Sequence, residues 1–217
     1  VLAVDKEAKE TNIVLYFKKD FEKVKNKQSI RKKLISSLCT NMISRRYKEF
    51  IQNNETAALQ MGTGSAEVSR LTDSHYLYVM PKNGRTKEAF KELMAETEKA
   101  VRYGFTQKEL DRNKEKVLSY YQDMLQNKDK ISSDQLAEEL VNYFLKASPF
   151  ESAEKQYENI RKGLASVTLS DVNQAVKKLQ TDDNAVLVVT GPDKNDAVYP
   201  SRSEYAAIMA AVKKMPL

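Results

Sequence analysis

Side chains able to carry chemistry are scarce in this sequence: 217 residues hold one histidine, His75, one cysteine, Cys39, and no tryptophan. One histidine cannot supply the two imidazoles that H-E-x-x-H or H-x-x-E-H sets one helical turn apart on a zinc ion. One cysteine makes neither a disulfide within the chain nor a cysteine-rich metal cage. Cys39 falls in an apolar helical stripe and reads as a small buried hydrophobe, since nothing at a recognisable spacing would activate its thiol. His75 lies in the alternating run Ser74–Met80 and reads as a structural, hydrogen-bonded histidine rather than a ligand or a base. Gly62 and Gly64 lack the third glycine of a phosphate loop and precede strand-like sequence, so they mark a bulge or a close backbone approach. The carboxylate pairs Glu138-Glu139 and Asp182-Asp183 suit solvation and capping better than general acid–base work. Tyr120-Tyr121 and Tyr143-Phe144 fall on helices where packing is expected to account for them. No position is assigned a catalytic, cofactor-binding or metal role.

The elements around these residues follow from periodicity. Thr11–Phe17, rich in β-branched and aromatic residues, suits a buried strand. From Ser29 to about Asn53, Ile30, Leu34, Leu38 and Met42 recur at the spacing of a long amphipathic helix, widened by Ile35, Cys39, Ile43 and Phe50. Ala57–Ser65 and Ser74–Met80 read as two antiparallel strands joined near Val68–Asp73. Beyond Pro81, Asn83 and Gly84 the pattern turns helical: Thr86–Gly104 with Gly104 as cap, a helix opened by the capping box Thr106–Glu109, and another opened by Ser132–Gln135. Leu136, Leu140, Val141, Phe144 and Leu145 mark the apolar side of the last of these. Ser148-Pro149-Phe150 breaks the chain, Glu151–Lys162 is helical up to Gly163, and Thr168–Asp171 caps a helix ending near Leu179. Asn184–Thr190 is a strand stopped by Gly191-Pro192, and Glu204–Lys214 a short final helix. Strands and helices are segregated rather than alternating, which predicts an α+β fold with a largely antiparallel sheet and helices packed on one face.

Charge adds less than its total suggests. The chain carries 36 Lys+Arg against 30 Asp+Glu, but residues 1–60 hold 13 and 7 while the remainder holds 23 of each. The excess gathers around Lys23, Lys25, Lys27, Arg31, Lys32, Lys33, Arg45 and Arg46, and a solvated helix face is expected there rather than a nucleic-acid site. A polyanion-binding module on residues 18–48 is the remaining alternative, and would show affinity that falls steeply with salt. No window approaches the roughly 18 apolar residues of a membrane span. The chain opens on Val1 with no signal-peptide hydrophobic region, so it is expected to be cut from a longer protein.

Several landmarks in order resemble the non-catalytic domain of the pitrilysin/insulinase-type (inverzincin) zinc peptidases. They are Asp5-Lys6-Glu7 before the first strand, the helix end Ile43-Ser44-Arg45-Arg46-Tyr47-Lys48-Glu49, the helix start Gly104-Phe105-Thr106-Gln107-Lys108-Glu109-Leu110, the Ser148-Pro149 break, and the strand Val188-Val189-Thr190-Gly191-Pro192. The resemblance implies a four-domain peptidase, two halves of a clamshell around a closed chamber. Zinc is held in the first domain by H-x-x-E-H and a downstream Glu, with the motif Glu polarising the attacking water. Residues 1–192 would then be the second domain of the N-terminal half, and 193–217 a connector with a short helix leading to the second half. The rival placement is the fourth domain, which in related enzymes supplies an Arg and, seven residues on, a Tyr; here Arg45 is followed by Gln52 and Arg46 by Asn53, which favours the second-domain placement. Arg45 and Arg46 are instead expected to meet carboxylates at a domain interface.

The function implied is that of a chamber-wall domain, inactive alone, of a zinc-dependent peptidase that degrades unfolded peptides. Its partners would be the other domains or half of the same peptidase and, through the parent, unfolded peptide. Zn2+ is expected in the preceding domain, and the periplasm or cell envelope is the family's expected location. A catalytically inactive binding or assembly subunit of the same fold is the alternative.

Overall fold

The computed structural model describes residues 1–21, 27–146, 150–179, 184–194 and 198–217. The Ser148-Pro149 break, Asp182-Asp183, Lys23 and Lys25 lie outside the described residues, as does the Lys27 side chain. The chain divides into two compact units: one of Val1–Phe21, Thr40–Gly104 and Val176–Leu217, the other of Glu22–Cys39 and Phe105–Ala175.

The first unit is built on strands β1 (Leu2–Asp5), β2 (Asn12–Asp20), β3 (Ala58–Ser69), β4 (Thr72–Pro81) and β5 (Ala185–Pro192), ordered β1-β5-β2-β4-β3. β2/β4, β2/β5 and β3/β4 are antiparallel, and β1/β5 is parallel. Alternation explains the faces, because side chains two apart share one side of a strand. One row crosses four strands as Met61, Val79, Ile13 and Val189, all buried. The adjacent row on the opposite face runs Gly62, Tyr78, Val14 and Val188, and of these Tyr78, Val14 and Val188 are half-buried. The sheet is therefore largely antiparallel, as the segregated pattern predicted. β1 is an addition: four residues, all exposed, carry no alternation that would have marked them as a strand.

Helix α1 (Lys27–Asn53) gives this unit its residues from Thr40 onward, where Met42, Ile43 and Tyr47 are buried. Helix α2 (Thr86–Tyr103) packs on β3 and β4, and its Phe90, Leu93, Met94 and Thr97 are buried. It ends at Gly104, whose φ of 67° suits a residue without Cβ, and whose N–H donates to the Ala100 carbonyl. Helix α7 (Arg202–Val212) starts one turn earlier in cap terms than Glu204, because Ser201 and Glu204 form a capping box. It lies against α2: the rings of Phe90 and Tyr205 meet edge-on at 4.9 Å, and the Arg102 guanidinium donates to the carbonyls of Val212, Lys213 and Met215.

The second unit holds the first part of α1 with α3 (Gln107–Gln126), α4 (Ser133–Lys146), α5 (Ala153–Ser166) and α6 (Leu169–Lys177), whose Val176–Lys177 end falls in the first unit. Both predicted capping boxes are formed, Thr106 with Glu109 and Ser132 with Gln135. Arg31 joins α1 to α6 by donating to Asp171 at 2.6 Å. Gly163 does not stop its helix: α5 runs on to Ser166, and Gly163 is the point where Leu34 comes so close that a Cβ would stand 2.4 Å from its Cδ1.

Packing does not account for α4 as expected. Leu136, Leu140, Val141, Tyr143, Phe144 and Leu145 are exposed, Phe144 by 84%, while Glu139 and Asn142 are half-covered. Tyr120 is exposed as well. A helical period reveals an apolar face, but not what stands opposite it.

Candidate functional site

Edge strand β3 and the C-terminal half of α1 enclose a cleft of about 470 Å³. Ser44, Lys48, Ile51 and Gln52 come from α1, and Leu59, Gln60, Met61, Gly62 and Thr63 come from β3. Tyr76 and Tyr78 reach in from β4. Both rings rest on glycines of the neighbouring strand. A Cβ at Gly62 would stand 2.1 Å from Tyr78 Cε1, and one at Gly64 would stand 2.5 Å from the Tyr76 hydroxyl. The glycines thus mark a close approach, by rings rather than backbone, while the irregularities of β3 fall at Ala58/Gln60 and Glu67/Ser69. Tyr16, Tyr76 and Tyr78 form a ladder with centroids 5.9 Å and 6.3 Å apart. Gln60 Nε2 donates to the Tyr78 hydroxyl at 2.8 Å, and burial together with Tyr76 raises the Tyr78 pKa, keeping the phenol protonated.

His75 is buried one row away. Thr63 donates its hydroxyl proton to the Tyr76 carbonyl at 2.8 Å, so its oxygen accepts from His75 Nε2–H at 3.0 Å. Nδ1 has no hydrogen-bond partner among the described residues. Burial and the nearby Lys19 charge lower the imidazole pKa from 6.5 to about 4, so the ring is neutral at pH 7. It is a structural histidine, as expected. Cys39 is fully buried, and burial pushes its thiol up to about 12, which leaves no thiolate for chemistry.

This donor set does not fit zinc. The one imidazole is committed to Thr63, the one thiol does not ionise, and no cluster of three His, Cys, Asp or Glu groups stands together among the described residues. The cleft offers instead phenol and amide groups, the apolar Ile51, Leu59 and Met61, and the ammonium of Lys48, beside a strand edge. An edge strand presents unpaired backbone donors and acceptors, and these are a template for an added extended chain. Sequence reading missed the cleft, since it depends on which strand lies at the edge.

Arg45 pairs with Glu49 at 2.7 Å, one turn on in α1, and Arg46 donates to the Gly104 carbonyl at 2.8 Å. Neither lines the cleft.

No protein-family model matches the chain. It is 24% identical over 182 residues, 83% of its length, to the Probable zinc protease PqqL of Escherichia coli (strain K12), and spans 20% of that protein. The crystal structure of the first half of the periplasmic protease PqqL from Escherichia coli superposes with TM-score 0.91 at 20% identity, over 100% of this chain and 47% of that one. A predicted insulinase family protease from Yersinia pestis superposes with TM-score 0.85 at 13% identity, over 98% of this chain and 46% of that one. The chain thus spans a fifth of the curated relative and under half of either structure. In sequence the chain is similar to a probable zinc protease, and in fold it is similar to solved domains of insulinase-type proteases.

Proposed function

We propose that this chain is a non-catalytic chamber-wall domain of a zinc-dependent metallopeptidase, the second domain of its N-terminal half. On this reading residues 1–192 form the domain, 193–217 lead toward the second half, and zinc sits in the domain before Val1. The match to one half of a zinc protease, in which this chain takes up under half the length, supports the placement. Arg45 and Arg46, about two turns before the end of α1, would face a neighbouring domain. The periplasm or cell envelope is the proposed location, in keeping with the relative from Escherichia coli; no helix among the described residues is long and apolar enough to cross a membrane.

The observation that carries the role is the cleft along β3. An extended peptide laid beside this edge would pair with free backbone groups, set side chains on the tyrosines, and reach Lys48 with a carboxylate. Such a surface steadies a substrate for chemistry performed elsewhere. Titration of the isotope-labelled chain with an unfolded peptide tests this by NMR. Saturable shifts at Leu59–Thr63, Lys48 and Gln52 are expected, whereas shifts confined to α4, or none at β3, would contradict it.

A further inference from the structure

Helix α4 carries its amphipathic pattern inside out. Leu136, Leu140 and Phe144 stand one turn apart, flanked by Tyr143 on one side and by Val141 and Leu145 on the other, and all six are exposed. The half-covered residues Glu139 and Asn142 lie on the opposite side of the helix, so Phe144, 84% exposed, marks the centre of the outward face. Phe150 extends this face, with its ring 6.2 Å from that of Tyr143. The open side chains amount to on the order of 700 Å². That exceeds the roughly 300–600 Å² of the largest patch on an ordinary monomer and approaches the roughly 800 Å² that each partner gives to a stable interface.

Width and charge narrow the occupant. The face spans more than half of the helix circumference, so it fits a groove rather than a flat surface. A second copy that paired α4 with α4 would cover one seam of each helix and leave the rest in water. A membrane surface calls for Lys and Arg along the border. The residues that border Val141 and Leu145 are instead Asp134 and Glu138, one turn apart, exposed, and without an ion-pair partner among the described residues. The face itself carries no charge, the composition of a permanent interface. A permanent neighbour has room beside this chain, which covers 47% of the solved protease half on which it superposes.

We propose that the outward face of α4 seats the domain that shares its half of the parent protein, in an apolar groove whose rim places Lys or Arg beside Asp134 and Glu138. This rests on the reading of the chain as one domain of a longer protein, and the two fail apart: peptide that leaves β3 untouched sinks the chamber-wall role, whereas a face that stays open in the parent sinks this one.

Hydrogen exchange in the parent polypeptide and in the 217-residue chain tests the seat without any variant. Amides of α4 should be at least about tenfold more protected in the parent, and equal protection would overturn the proposal. Phe144→p-benzoylphenylalanine in the parent, irradiated in the presence of phosphatidylglycerol vesicles, identifies the occupant. Crosslinks to residues that precede Val1 are expected; crosslinks only to the other half, to a second copy or to lipid, or none at all, would overturn it. Phe144→Asp should lower the melting temperature of the parent by several degrees and leave that of the 217-residue chain within about a degree. An equal loss in both would show that the face serves its own chain. If neither variant of the parent folds, the exchange comparison decides the matter alone.

Discussion

The ring of Tyr78 occupies the space that a side chain on Gly62 would fill: a Cβ there would stand 2.1 Å from Cε1 and 2.6 Å from Cζ. Gly62→Ala therefore forces the ring off the strand. Overpacking of this kind costs about 1–3 kcal/mol, and the displaced ring also spoils the cleft floor. Urea unfolding should show the loss, and a Gly62→Ala chain as stable as wild type would show that the ring moves freely.

Tyr47 and Thr97 form a buried pair whose oxygens are 2.5 Å apart, and Thr97 donates onward to the Leu93 carbonyl at 2.6 Å. Tyr47→Phe leaves Thr97 bonded to Leu93, so it should cost about 1 kcal/mol. Thr97→Val removes the acceptor of a buried phenol and should cost more, up to about 3 kcal/mol. The reverse order in chemical denaturation would mean that the hydroxyl of Tyr47 relies on another group.

Tyr205 is 3% exposed, and its hydroxyl has no hydrogen-bond partner among the described residues, while its ring packs on Phe90. Tyr205→Phe should accordingly be neutral or stabilising by up to about 1 kcal/mol, since it removes a desolvated hydroxyl and keeps the ring. Tyr205→Ala should cost about 3–5 kcal/mol by opening a cavity between α2 and α7. Equal melting temperatures for Tyr205→Ala and wild type would show that α7 contributes nothing to this unit.

Global stability should depend on pH through His75. The folded pKa is about 4 against an ordinary 6.5, so between these values the unfolded chain binds the extra proton. Stability is then full above about pH 6.5 and falls as pH drops toward 4, by at most about 3 kcal/mol. Thermal unfolding of wild type and His75→Gln over this range isolates the contribution, and parallel curves would remove it.

Much of the fold was legible because it is encoded locally. Thr106 with Glu109, Ser132 with Gln135, and Gly104 at a positive φ each announce a helix boundary within a few residues. The alternation of His75, Leu77 and Val79 likewise placed β4 and set the histidine on one face of it, which the structure shows to be the buried one. What was not legible depends on residues far apart in the chain. Gly163 reads as a stop until Leu34 is seen against it, and the apolar side of α4 reads as core until its exposure is seen. The cleft belongs to this second kind: Gly62 and Tyr78 are sixteen positions apart and meet only through the β3/β4 register. The scarcity of histidine and cysteine was legible at once, but where the His75 ring lies, on Thr63, was not.

The proposed role is tested most directly by steady-state peptide hydrolysis in the parent polypeptide carrying Leu59→Asp, an exposed position on the cleft rim. A chamber wall that steadies peptide predicts a KM raised several-fold with kcat within about twofold of wild type, because the change touches binding and leaves the zinc chemistry alone. Unchanged KM, or a loss confined to kcat, would contradict that role, as would a parent that hydrolyses no peptide.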